Sequence, residues 1–125
     1  MVMGGTSEIE SIQTSMLRAL ASTHRLRIIH ILGAGSVEVR DIARELGVSQ
    51  ATASQHLAAM RAVGLVEAIR EGRLVRYRLT DPEILAACDL MRDVLVRRLS
   101  LLGDLAASAQ AADAVQSSSR VGSIR

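Results

Sequence analysis

The stretch "GVSQATASQHLAAM", residues 47–60, decides how the rest of the chain is read. Ser49 stands where a helix N-cap belongs, because a serine oxygen accepts from an otherwise unbonded N–H of the first helical turn. From Gln50 onward the apolar residues Ala53, Leu57 and Met60 recur at helical spacing, and the run to Val63 is closed by Gly64. An exposed helix face is usually kept soluble by Glu and Lys. Here the helical wheel instead puts Gln50, Ala51, Ser54, Gln55 and Ala58 on the free side. Glutamine can pair bidentately with adenine, serine and threonine reach base edges or phosphates, and alanine methyls allow close approach or meet a thymine methyl. A face that enters a groove about 12 Å wide has no room for bulky carboxylates.

Upstream, "VEVRDIARELG" (residues 37–47) reads as a short helix with Val39, Ile42, Ala43 and Leu46 inward and Gly47 as its stop. The tight "LGVS" turn then joins two helices into a helix-turn-helix, with Ile42, Leu46, Val48, Ala53, Leu57 and Met60 as the internal face. Further upstream, Ile9, Ile12, Met16 and Leu20 form one apolar stripe from Ser7 to about Ala21. Thr23 is the expected cap of a second helix, "HRLRIIHIL", ended by Gly33 and Gly35.

Downstream the period changes. In "LVEAIREGRLVRYRLT" (residues 65–80), Val75, Tyr77 and Leu79 alternate with Leu74, Arg76 and Arg78 around a turn at Glu71-Gly72-Arg73. A short β-hairpin with an arginine-rich outer face is expected. Asp81 and Pro82 open a last helix, with Pro at the first position where its missing N–H costs nothing. Its stripe is Cys88, Met91, Leu95, Leu99, Leu102 and Ala106. Residues 108–125 are small and polar and are expected to form a disordered tail behind a single domain at 1–107. The fold class is therefore mainly α with a small β-hairpin, a winged helix-turn-helix.

Composition supports this. Almost half of the 125 residues are apolar, yet the chain has no Phe or Trp and one Tyr, so its core is built from aliphatic side chains and Met. All 15 cations are arginine, the side chain suited to forked phosphate contacts, although net charge is only +2. Placement carries the inference. Between residues 61 and 78 lie Arg61, Arg70, Arg73, Arg76 and Arg78 against Glu67 and Glu71. A basic hairpin following a groove-reading helix can straddle the phosphate backbone. Gln50, Thr52, Ser54 and Gln55 are the candidates for base-edge or adjacent phosphate contacts, with Ser49 beside them as cap. Arg61, Arg73, Arg76 and Arg78 are the candidates for phosphate.

No apolar run approaches the roughly 20 residues that span a bilayer, and no signal peptide opens the chain, so a cytoplasmic protein without membrane partners is expected. One cysteine excludes an internal disulfide framework. No phosphate-binding glycine loop or nucleophile motif suggests an enzyme. The rival readings are a winged helix that binds only protein and a nonspecific nucleoid-type DNA binder. The first has no need of the uncharged outer face or the wing arginines, and the second would carry more positive charge.

The runs "LASTHRLRIIHIL", "VSQATASQHLAAMRAVGLV" and "EGRLVRYRLTDPEI" resemble the ArsR-type family of bacterial winged-helix repressors, from about Ala19 to Leu95. The resemblance implies a homodimer joined through its first and last helices, bound to palindromic double-stranded operator DNA and released by an inducer. A two-fold protein also matches a two-fold operator.

The resemblance further implies sensor positions, and most are altered. The arsenic-type cysteine pair would fall at Glu38 and Arg40, and the zinc-type set in the last helix at Asp81, Glu83, Val94 and Arg97. Only Asp81 and Glu83 can ligate, and two carboxylates make a poor transition-metal site. A persulfide-sensing variant of the family has a cysteine where His30 stands, and Cys88 lies about two turns before its second. His30 and Cys88 are thus candidate sensors of a transition metal, a sulfur species or another inducer. The plainer reading makes Cys88 a small hydrophobe of the apolar stripe and His30 a hydrogen-bonded residue. His24 and His56 read as structural, with His56 on the flank of the reading helix.

Overall fold

The computed structural model describes the backbone of residues 2–124 and the side-chain surroundings of residues 7–112. It contains α1 (Val2–Leu20), α2 (Thr23–Leu32), β1 (Val37–Glu38), α3 (Val39–Leu46), α4 (Gln50–Ala62), β2 (Val66–Glu71), β3 (Leu74–Leu79) and α5 (Glu83–Ile124). The three strands form an antiparallel sheet in the order β1-β3-β2. This is the expected winged helix-turn-helix, with one strand more than the hairpin that the alternation reveals.

The chain divides into two units, Met1–Cys88 and Asp89–Arg125. The division therefore falls inside α5 and not at residue 107. In the first unit Ile28, Ile29, Ile42, Leu57, Met60, Leu65 and Val66 are almost wholly buried. Met16, Leu20, Val37, Val48, Tyr77 and Leu79 pack around them. The core thus lies where α2, α3, α4 and the sheet meet, and it takes the inner face expected of the helix-turn-helix. Only the C-terminal half of the α1 stripe joins it. Ile9 and Ile12 stay 67% and 62% exposed.

Local chemistry sets the boundaries. Ser22, not Thr23, caps α2, its hydroxyl accepting from Arg25 N at 3.4 Å. Gly33 follows α2 where a Cβ would meet the tip of the Leu85 side chain at the start of α5, so a larger residue there would make Leu85 turn aside. Gly47 ends α3 in the left-handed region at φ 70°, ψ 33°. Asp81 Oδ1 accepts from Glu83 N at 2.9 Å and caps α5.

The second unit is helical through Ile124, where a disordered tail from residue 108 was expected. The tail has few large apolar residues, but six alanines between 106 and 114 favour helix. Arg125 lies outside the described residues. Leu90, Met91, Val94, Leu95, Val96, Leu99, Leu101, Leu102 and Leu105 are each 44–65% exposed. No helix among the described residues is long and apolar enough to cross a membrane.

Candidate nucleic-acid interface

The turn between α3 and α4 is fixed from both sides. Gly47 N–H reaches the Ala43 and Arg44 carbonyls, and Val48 N–H bonds to Ala43 O at 3.1 Å. On the α4 side, Ser49 Oγ accepts from Thr52 N at 3.0 Å and donates to Thr52 Oγ1 at 2.9 Å. Ser49 and Thr52 are thus engaged with each other, and Thr52 is half-buried. This places Thr52 at the base of the presented face, as a weaker candidate for base contact than its three companions.

Those companions stand free. Gln50, Ser54 and Gln55 are exposed, as are Ala51 and Ala58 between them, and among the described residues their side chains have no internal hydrogen-bond partner. Burial of Ala53, Leu57 and Met60 on the other side fixes the rotation of α4, so this face cannot turn inward. Polar groups left unpaired on a rigid helix are suited to an external hydrogen-bonding partner.

The arginines divide into two sets. Arg61 in the last turn of α4 and Arg73 at the hairpin tip are exposed and make no ion pair among the described residues, and Arg70 on β2 is the same. Arg76 and Arg78 are not the open phosphate donors that the alternation suggests. Arg76 faces Glu38 across the β1–β3 pair, with Nη2 3.8 Å from Oε1, and Arg78 Nε donates to Glu67 Oε1 across β2–β3. Glu38 also holds Arg40 at 3.4 Å, and Asp41 holds Arg44 at 3.5 Å. The wing root is therefore a partly neutralised ladder, and its unpaired positive charge lies at the wing tip and the end of α4.

Behind the reading helix is an anchor that spacing gave no sign of. Arg25 Nε donates to His56 Nδ1 at 3.1 Å, and its Nη1 donates to Ala19 O at 3.2 Å. The rings of His24 and His56 lie 5.4 Å apart at 54°. Burial, then the charge of Arg25, then His24 hold the His56 pKa below the ordinary imidazole value. His56 is therefore structural, as expected, and its partner is now identified.

The candidate sensor residues sit elsewhere. His30 is exposed, with Nδ1 2.9 Å from Leu26 O. Cys88 is half-buried, its thiol in no disulfide, and packs against the core. Asp81 is occupied as the α5 cap and Glu83 is exposed beside it. Among the described residues no three His, Cys, Asp or Glu side chains gather as a ligand set.

Known proteins share this architecture. The family model for bacterial regulatory proteins of the arsR family matches residues 22–68. The transcriptional activator HlyU of Vibrio cholerae is 36% identical over 76 residues, 61% of this chain and 70% of that protein. The chain belongs to the arsR family. The regulator Rv0324 of Mycobacterium tuberculosis is 35% identical over 94 residues, 69% of this chain, which spans only 42% of that longer relative. Among solved structures, the homodimeric winged helix-turn-helix DNA-binding domain of Mb0332 from Mycobacterium bovis is similar at TM-score 0.70 and 32% identity, covering 75% of this chain and 87% of that one. The family is one of DNA-binding transcriptional regulators and not of enzymes. The matched residues 22–68 run from the α2 cap through the reading helix into β2.

Proposed function

We propose that this arsR-family chain is a homodimeric repressor that reads a palindromic operator with α4 and grips the flanking phosphates with its wing. The observation that carries the reading is the exposed, uncharged and internally unpartnered face of Gln50, Ser54 and Gln55, mounted rigidly beside Arg61. Base-edge contacts specify and phosphate contacts position, and the chain separates the two in this way. Arg61 and Arg73 are the leading phosphate ligands, and Arg76 and Arg78 contribute once they leave their carboxylates.

The exposed apolar residues of α1 and of the Asp89–Arg125 unit support dimerisation, because so large an apolar surface calls for a partner. Repression is relieved by an inducer, for which His30 and Cys88 are the candidate residues and a metal, a sulfur species or a small organic molecule the candidate ligand. The protein acts in the cytoplasm, on an operator near its own gene. Selection of binding sites from a random duplex pool tests this, followed by a reporter carrying the selected site. A palindromic site whose occupancy lowers transcription is expected. Failure to enrich any sequence, or enrichment without symmetry, would overturn it.

A further inference from the structure

His56 follows Gln55 directly, so one turn of α4 carries both a base-reading side chain and, about 100° around the helix, a half-buried ring. Arg25 meets that ring from α2. The guanidinium is already held by the end of α1 through Ala19 O, and the Arg25 backbone N–H by the α2 cap through Ser22 Oγ. The Nε–Nδ1 bond at 3.1 Å is thus a strut from the α1–α2 corner to the middle of the reading helix. A guanidinium can only donate, so His56 Nδ1 must be unprotonated and the ring proton sits on Nε2.

The surroundings offer nothing to stabilise a second proton. The charged and titratable groups acting on His56 are Arg25 and His24, both of α2. The other elements packed on α4 carry Glu8 and Glu10 of α1, Asp41 and Glu45 of α3 and Glu67 and Glu71 of β2, and none of these carboxylates is among the groups that shift His56. Beside it, His24 Nδ1 is buried with no hydrogen-bond partner. A proton on Nδ1 would leave an imidazolium facing a guanidinium across a broken hydrogen bond. Both terms act against the strut.

We propose that Arg25 and His56 are the positioning pair that sets the reading helix on its scaffold, and that operator recognition is proton-sensitive because protonating His56 Nδ1 breaks this strut. The inference rests on the DNA-reading role of α4 proposed above. It predicts a loss of discrimination more than a loss of grip. Base-edge hydrogen bonds need the helix held to within a fraction of an ångström, whereas exposed arginines follow phosphates through small displacements. Added positive charge also favours any duplex.

The test measures affinity of the full chain for a selected operator duplex and for its scrambled sequence, at about pH 7.5 and about pH 5.5, a span that brackets imidazole titration. For the unmodified protein, operator affinity should fall severalfold by about pH 5.5, less than the roughly tenfold that an imidazole of ordinary pKa would give, because the lowered His56 pKa leaves part of the protein unprotonated there, while scrambled-duplex affinity holds or rises. His56→Gln supplies an amide oxygen that can still accept from Arg25 and does not titrate. It should keep operator affinity within about twofold across the same range. His56→Leu, with its fold checked by circular dichroism, should discriminate poorly at both pH values. The proposal is overturned if His56→Gln loses operator affinity with pH as the unmodified protein does, or if operator and scrambled duplex weaken in parallel. Should no duplex be selected at all, the DNA-reading role fails, and the strut is then decided by NMR of the free protein. Amide shifts of residues 50–54 that follow the His56 titration and vanish in His56→Gln support it, and amides silent through that titration overturn it.

Discussion

Arg76 of β3 is held by Glu38 of β1, its Nη2 3.8 Å from the carboxylate in a register that sets the two residues directly opposite each other. The Glu38 side chain is 18% exposed against 38% for Arg76, so the carboxylate is the fixed member and the guanidinium the movable one. An arginine in this position reaches a phosphate only by exchanging one anion for another. Its net gain is therefore smaller than that of Arg73, which has no ion-pair partner to leave among the described residues.

Glu38→Gln should accordingly tighten binding to any duplex by roughly two- to fivefold, since an ion pair of this exposure is worth about 0.2–1 kcal/mol. Arg73→Ala should weaken binding more than Arg76→Ala does, and each should reduce the steepness of the salt dependence. Titrations over a salt series measure both. A Glu38→Gln protein that binds more weakly would show that the carboxylate orients Arg76 for DNA instead of withholding it.

Gln55→Ala removes an exposed amide that has no hydrogen-bond partner among the described residues. The loss should be about 1–3 kcal/mol on the selected operator and negligible on scrambled DNA, with preference relaxed at one base pair of each half-site. Equal loss on both duplexes would remove its base-reading role.

The helix-turn-helix was legible because each part has a local chemical cause. Gly47 takes a positive φ, Ser49 caps, and Ala53, Leu57 and Met60 keep helical spacing. The hairpin was legible from alternation and Gly72. What escaped depends on pairing between distant segments. A two-residue strand such as Val37–Glu38 has no period to detect, and without β1 the Glu38–Arg76 pair cannot be foreseen. Arg78 looked free for a different reason: alternation reveals the hairpin but not its register, and only the β2–β3 register sets Arg78 opposite Glu67. Arg25 and His56 are 31 residues apart and meet only because α2 packs against α4. The helical end of the chain was missed because low apolar content was read as disorder, while the alanines favour helix.

Ser49 combines a cap with a place on the proposed interface, and substitution can separate the two. Ser49→Ala should cost about 1 kcal/mol of stability, as loss of an N-cap does. Ser49→Asp should keep the cap, because aspartate accepts equally well and its charge suits a helix N-terminus, yet it sets an anion against the phosphates. Unfolding midpoints near those of the unmodified protein, together with much weaker DNA binding, are expected for Ser49→Asp. DNA affinity unchanged in this variant would place Ser49 away from the backbone of the duplex.

The stability of the free protein should also carry the signature of His56. Its folded-state pKa is lowered, chiefly by burial and then by Arg25 and His24, while in the unfolded chain it returns to the ordinary value of about 6.5. Between the lowered value and about 6.5 the unfolded state binds the extra proton, so falling pH favours unfolding. The contribution is therefore fully present above about pH 6.5 and is lost as pH falls through the folded-state value. Urea midpoints should decline from about pH 7.5 to about pH 5.5, before carboxylates begin to titrate, and His56→Gln should flatten that decline. A decline of the same size in both proteins would assign the acid sensitivity to other groups.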